Sequence, residues 1–180
     1  VLQPDAYGSW TFIEKVPLER YLYGVLPHEI GSSSPLEALA AQAILARTWA
    51  LANSHRFAID GYHLCSDTQC QVYKNPQDAT PAVKNAVSKT AGKFLSWNSK
   101  PIHAVYHASN GGVSASPNEA WSIDNLPYLR PRLDGDFTWQ NRFLLPLRTD
   151  VDVKFFLDNQ SGAYGYQHSR FRWTRQITSE

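Results

Sequence analysis

An α+β fold is predicted for this chain of 180 residues, and three observations predict it. Amphipathic, helix-spaced segments crowd the first half. Alternating strand-like runs follow them. No repeated strand–helix alternation of the kind that builds a doubly wound parallel sheet is present. The expected architecture is one domain over residues 1–180, with N-terminal helices packed on an antiparallel sheet and a long surface excursion. The chain is long enough to bury a core.

The first helix is expected to begin near Pro17, whose fixed φ and missing N–H suit an opening helical position, and to run through Leu26. Pro27-His28-Glu29-Ile30 then reads as a short connection to a second helix over Ser34–Leu51, with Glu29 held between two packed elements and buried by neither. The second helix carries a capping-box pattern, with Ser34 at the cap, Pro35 at the first position and Glu37 at the third. Leu36, Leu39, Ala43, Ala46 and Ala50 form its apolar stripe. Arg47 interrupts that stripe, which predicts either a buried pairing with a carboxylate or a side chain that snorkels outward. A third helix is expected from Pro81 to about Thr90, capped by Thr80 and stopped by Gly92. Lys93–Trp97 and Pro101–Tyr106 flank Asn98-Ser99-Lys100 as a hairpin. The stretch 121–143, rich in Pro, Asp and Trp, reads as the surface excursion. Alternating apolar residues from Arg170 onward read as a strand, and Thr178-Ser179-Glu180 as a cap opening a further helix. With no initiating Met and no signal peptide, the chain reads as a processed or trimmed piece, truncated at its C-terminus.

Composition narrows the partners. The net charge is +1, which gives no footprint for nucleic acid or an acidic membrane surface. No run approaches the ~20 apolar residues of a membrane span. Six Trp, nine Tyr and eight Phe suit contact with the apolar faces of sugar rings, although core packing is the better account of any single one.

Four clusters can carry chemistry. Glu29 stands with Gln42 and Arg47 on the following helix. Cys65 and Cys70, with His63 nearby, can close a disulfide, offer two thiolates and an imidazole to zinc, or remain free thiols. Tyr106-His107-Ala108-Ser109-Asn110-Gly111-Gly112 places donors and acceptors ahead of a glycine pair that lets the backbone turn sharply or approach a ligand. Trp121 with Pro127-Tyr128-Leu129 is an aromatic pair able to rim a groove. A Ser-His-Asp hydrolase is disfavoured, because no G-x-S-x-G elbow surrounds any serine.

These clusters occur in a recognisable order. Val16-Pro17-Leu18-Glu19-Arg20-Tyr21-Leu22, Gly24-Val25 and Glu29 are followed by Leu36–Leu39, Ala41-Gln42-Ala43 and Ala46-Arg47-Thr48. Then come Cys70-Gln71-Val72-Tyr73, Tyr106-His107 with Ser109 and Gly111-Gly112, and Trp121 with Pro127-Tyr128-Leu129. Together they resemble the SpoIID/LytB family, the stage II sporulation protein D domain. The resemblance runs from about Val16 to Glu180 and is thinnest between Arg132 and Tyr166.

That resemblance implies a peptidoglycan lytic transglycosylase. Such enzymes cleave the β-1,4 bond between N-acetylmuramic acid and N-acetylglucosamine without water, leaving 1,6-anhydro ends. Glu29 matches the catalytic acid. Arg47, Gln71, Tyr73, Tyr106, His107, Ser109, Asn110, Gly111 and Gly112 are expected to bind the glycan. One carboxyl suffices, first as acid to the leaving oxygen and then as base to the muramyl C6 hydroxyl, whereas ordinary glycosidases need two. An apolar setting from Leu26, Pro27 and Ile30 would help such an acid stay protonated. No cofactor is required. A structural zinc at His63, Cys65 and Cys70 is one expectation and a Cys65–Cys70 disulfide the other. Where some members have a histidine before the second cysteine this chain has Gln69, which puts metal binding in doubt. The expected partners are peptide-stripped glycan strands and a cell-wall amidase, and the expected location is outside the cytoplasm, in the periplasm or on the wall side of the membrane. Family members described as amidase enhancers keep a second class open, a glycan-binding module that stimulates an amidase. A purely structural wall adaptor is a third.

Overall fold

A computed structural model describes residues 1–4, 7–121, 123–174 and 176. The chain divides into two compact units, Val1–Tyr106 and His107–Glu180. The expected cap at Thr178-Ser179-Glu180 lies outside the described residues.

In the first unit an antiparallel ribbon, β1 (Leu2–Pro4) and β2 (Trp10–Phe12), precedes helices α1 (Leu18–Glu29) and α2 (Leu36–Ala52). A 3-10 turn at Pro76–Asp78 leads into α3 (Pro81–Lys89), and a second ribbon, β3 (Ser96–Trp97) and β4 (Lys100–Pro101), closes the order. The three helices pack on one another around Leu22, Val25, Leu26, Leu39, Ala43, Ala46, Val83 and Val87. Leu22, Leu26 and Leu39 are fully buried, and each such leucine contributes roughly 2 kcal/mol of transfer free energy. The fold is α+β, and the named strands among the described residues form two small antiparallel ribbons. The Thr80 hydroxyl accepts from the Val83 N–H, as its sequence position predicts.

Three local expectations are corrected. Helix α1 continues past Leu26 through Pro27, so Glu29 is its last helical residue and not a loop residue. Ser34 does not cap α2. Its hydroxyl donates to the Ile30 carbonyl at 2.8 Å, satisfying an acceptor at the end of α1, and Pro35 precedes α2 without a side-chain cap. The hairpin turn is the pair Asn98-Ser99, with φ +48° and +61°, and Lys100 already belongs to β4. Two successive positive φ values match the twist of the flanking strands, which keeps the loop to two residues.

The second unit holds α4 (Pro117–Ala120), α5 (Phe137–Gln140) and α6 (Asp150–Asp158). Its core is Trp139, Phe143, Phe156, Ala163 and Phe171. The end of the expected surface excursion is therefore interior, since Trp139 is only 1% exposed and donates its indole N–H to the Asn159 carbonyl at 2.6 Å. Among the described residues after Arg170 there is no strand. Phe171 turns into this core instead.

Candidate active site

Glu29 takes its place from the row Tyr21, Val25, Glu29, one face of α1 at four-residue spacing. A carboxylate at the C-terminal end of a helix meets the negative end of the helix dipole, so it needs donors from elsewhere. Two are present. The Val72 N–H donates to Glu29 Oε1 at 2.9 Å, and the Tyr106 hydroxyl hydrogen-bonds the same carboxylate.

Val72 is delivered by an ordered loop. Cys65 and Cys70 form a disulfide with Cα atoms 5.7 Å apart, and the Tyr73 N–H bonds the Ser66 carbonyl at 3.0 Å. The Lys74 N–H bonds the carbonyl of Gly24 on α1 at 3.2 Å. Gly24 is required there because a Cβ would lie 2.3 Å from Lys74 O and 2.5 Å from the Tyr73 ring. Tyr73 stacks on Tyr21, with ring centroids 5.1 Å apart.

Behind the carboxylate runs a directed chain of hydrogen bonds. The Tyr21 hydroxyl donates to Gln71 Oε1 at 3.2 Å. Gln71 Nε2 donates to the Tyr106 oxygen at 3.0 Å and to the Ala46 carbonyl at 3.3 Å. This fixes the amide orientation and turns the Tyr106 proton toward Glu29. Burial, together with the nearby Glu29 charge, pushes the phenols of Tyr106 and Tyr21 well above the ordinary tyrosine value, despite the Gln71 bond that opposes it at Tyr106. Tyr106 therefore remains a neutral donor. Tyr73 is pushed up to about 12 by burial and by its 2.9 Å bond to Glu14.

The structure thus brings Glu29, Gln71, Tyr73 and Tyr106 together within the first unit. It buries two of the expected glycan contacts, Arg47 and Gln71, out of reach of a ligand. Arg47 is 1% exposed and forks onto Glu19 at 2.8 and 2.6 Å, with a further bond to the Lys93 carbonyl at 2.9 Å. Its predicted carboxylate partner exists, but it is Glu19 and not Glu29, and the guanidinium is sealed from ligand. Gln71 is also 1% exposed, so it positions Tyr106 and does not line a groove. Gln42 is buried, with its Nε2 unpartnered among the described residues. The disulfide removes both sulfurs from the His63–Cys65–Cys70 zinc set, and no cluster of three metal-ligating side chains occurs among the described residues, so these residues do not fit a zinc ion.

His107, Ser109, Asn110, Gly111 and Gly112 belong to the second unit. The glycine pair does turn sharply, at φ +65° and +97°, but its backbone is spent internally. The Gly112 N–H bonds Asn110 Oδ1 at 2.9 Å, and its carbonyl accepts from the Asp134 N–H at 2.9 Å. The Gly111 carbonyl accepts from Arg172 Nη1 at 2.5 Å. A Cβ on Gly112 would sit 3.0 Å from Trp139, so the pair serves packing and not the approach of a ligand. Trp121 is half exposed at the end of α4. Sequence reasoning missed Tyr21 as part of the site, although its position eight residues before Glu29 on one helix face was a usable signal. It also missed the Val72 N–H, for which no side-chain signal exists.

The family model for SpoIID, stage II sporulation protein, matches residues 6–97. The chain belongs to the SpoIID family. It is 38% identical over 113 residues to a Bacillus subtilis protein named amidase enhancer, covering 63% of this chain and 15% of that one. It is 33% identical over 134 residues to stage II sporulation protein D of Bacillus subtilis, covering 66% of this chain and 38% of the relative. The corresponding protein of Bacillus amyloliquefaciens is 34% identical over 134 residues, with the same coverage. The chain thus spans well under half the length of these relatives. The family match takes in Glu29, the disulfide loop and Gln71–Tyr73, and it stops before Tyr106.

Proposed function

We propose that this chain is a peptidoglycan lytic transglycosylase domain that acts outside the cytoplasm on peptide-stripped glycan strands. The observation that carries the reading is the carboxylate of Glu29, at the family's acid position, anchored by the Val72 N–H and the neutral Tyr106 phenol. Glu29 protonates the leaving glycosidic oxygen. The resulting carboxylate takes the proton from the muramyl C6 hydroxyl as that oxygen closes on C1, so one carboxyl serves both steps and the nucleophile comes from the substrate. Glu14, the other carboxylate tied into this region, is committed to the Tyr73 hydroxyl. The disulfide supports an oxidising compartment. No helix among the described residues is long and apolar enough to cross a membrane.

The test incubates wild type and Glu29→Gln with peptide-free glycan strands and identifies the ends by mass spectrometry. Anhydro-muramyl ends from wild type, reduced roughly a hundredfold or more in the variant, are the expected result. Reducing ends would overturn it in favour of a hydrolase. The relative named amidase enhancer favours a second reading, in which the chain binds glycan and stimulates a wall amidase. Retained binding with no cleavage by wild type would select it.

A further inference from the structure

The chain has two cysteines, and they stand directly before both supports of Glu29. Gln71, which turns the Tyr106 proton toward the carboxylate, is the residue after Cys70. Val72, whose N–H bonds that carboxylate, is the next. We propose that Cys65–Cys70 is a thiol–disulfide exchange site for a protein dithiol, and that its oxidation state controls how firmly Gln71 and Val72 hold Glu29. The effect on turnover rests on the glycan-cleaving reading above. The exchange and its effect on Val72 do not.

The bridge lies outside the packing that keeps the unit folded. Neither cysteine belongs to the three-helix core, and both are half-buried at the ends of a loop, 66–69, that is exposed throughout. Within it the Gln69 N–H bonds Asp67 Oδ1 at 2.8 Å, and the Cys70 N–H bonds the Asp67 carbonyl at 3.1 Å. This turn keeps the two sulfurs close once the bridge opens, so the opening is reversible. The path out of Cys70 is tied back to the start of the loop by the bridge and by the bond from the Tyr73 N–H to the Ser66 carbonyl. Reduction removes one of these ties, and the segment carrying Gln71 and Val72 then opens locally more often while the core stays closed.

The surroundings of the two sulfurs differ, and the difference directs the exchange. The Cys65 N–H donates to Cys70 Sγ at 3.0 Å in a half-buried contact. Asp67 Oδ1 lies 3.5 Å from Cys65 Sγ in an exposed one. A thiolate leaving on Cys70 is met by a donor, whereas one on Cys65 faces a carboxylate. The partner's thiolate therefore attacks the accessible Cys65 sulfur. The S–S bond breaks, its electron pair leaves on Cys70, and a new bond joins Cys65 to the partner. The partner's second thiolate then attacks its own sulfur in that mixed bridge, and the electron pair leaves on Cys65. The two protons given up by the partner's thiols end on Cys65 and Cys70. This chain gains two electrons, and the partner is left as a disulfide.

The experiment holds the full chain in dithiothreitol, a small dithiol, then alkylates with iodoacetamide and counts labelled cysteines by mass spectrometry. Circular dichroism follows the helices, and hydrogen exchange follows the Val72 amide. Labelling of both cysteines with the helical signal retained is expected, together with about a tenfold loss of Val72 protection. A bridge that resists reduction until the helices melt would overturn the proposal, and so would reduction that leaves Val72 protection unchanged. Cys70 in Cys65→Ser is expected to react with iodoacetamide about tenfold faster than Cys65 in Cys70→Ser. The opposite order would overturn the assignment of the attacked sulfur. On peptide-free glycan, reduction should slow release of anhydro ends about tenfold, with recovery after reoxidation by oxidised glutathione. An unchanged rate from the reduced chain would remove the control of turnover. Absence of anhydro ends in both states would instead sink the glycan-cleaving reading and leave the Val72 amide to decide the exchange site.

Discussion

Replacing Arg47 with methionine separates a structural role from a ligand-binding one. The guanidinium is 1% exposed and makes two charge-assisted bonds to Glu19 and one to the Lys93 carbonyl. Breaking a buried ion pair by removing one partner typically costs 3–5 kcal/mol. Here Glu19 remains 38% exposed and can rehydrate, which lowers the figure to about 3 kcal/mol. Methionine retains most of the aliphatic stem, so the loss isolates the charged head. For a chain of this length about 3 kcal/mol corresponds to a fall in Tm of roughly 6–12 °C, measurable by calorimetry or circular dichroism. The acid limb of stability should change as well. Burial pushes the Glu19 carboxyl up, but the Arg47 hydrogen bonds, the Gly92 N–H and the Arg47 charge outweigh it and hold it below its usual value. A depressed carboxyl contributes stability that is complete above its unfolded pKa and is lost as pH falls through the folded one. Wild type should therefore lose this increment below about pH 4.5, and Arg47→Met should not show it. Glycan affinity of the folded variant should be unchanged. An unaltered Tm with lost glycan binding would refute the assignment and return Arg47 to the ligand.

Tyr106→Phe removes one donor from Glu29 and should lower kcat roughly tenfold to a hundredfold with KM unchanged, as steady-state kinetics on peptide-free glycan would report. A comparable rise in KM would instead make Tyr106 a substrate contact. Gly24→Ala forces its new methyl into Lys74 O and Tyr73 and should cost about 1–3 kcal/mol in denaturant melts, while lowering activity through displacement of the Val72 segment. Cys65→Ser with Cys70→Ser opens a short loop and should cost about 2 kcal/mol by the chain-entropy relation. Added zinc should not restore that loss in the same melts.

Much of the first unit was legible because its signals are local. Thr80-Pro81 announces a helix start, and the Leu39/Ala43/Ala46/Ala50 stripe announces a buried face. Ser34-Pro35-x-Glu37 carried the same kind of signal and failed, because the nearby end of α1 also needed a donor and Ser34 supplies it to Ile30. Pro27 read as a boundary, yet packing of Leu26 and Val25 in the core carried α1 two residues beyond it. Glu29 was legible as a motif position, whereas its anchoring was not, since Val72 contributes only backbone. Arg47 was legible as a break in the stripe that would either pair with a carboxylate or snorkel outward, but the choice and the partner were not, because Glu19 lies 28 residues earlier and only the packing of α1 on α2 brings the two together. Trp139 was hidden in a stretch whose Pro and Asp content resembles loop, where burial is decided by Gly112, Phe143 and Phe156 around it.

The bond from the Val72 amide to Glu29 gives the site a proton whose exchange with solvent can be followed directly. That amide belongs to irregular backbone, where shielding is normally slight, so slow exchange there would report the carboxylate that holds it and not a surrounding ladder. Opening of the segment between the disulfide and α3 would free Glu29 while the three-helix core stayed closed. The geometry around Glu29 and the global fold can therefore come apart at different free energies, and one backbone resonance distinguishes them.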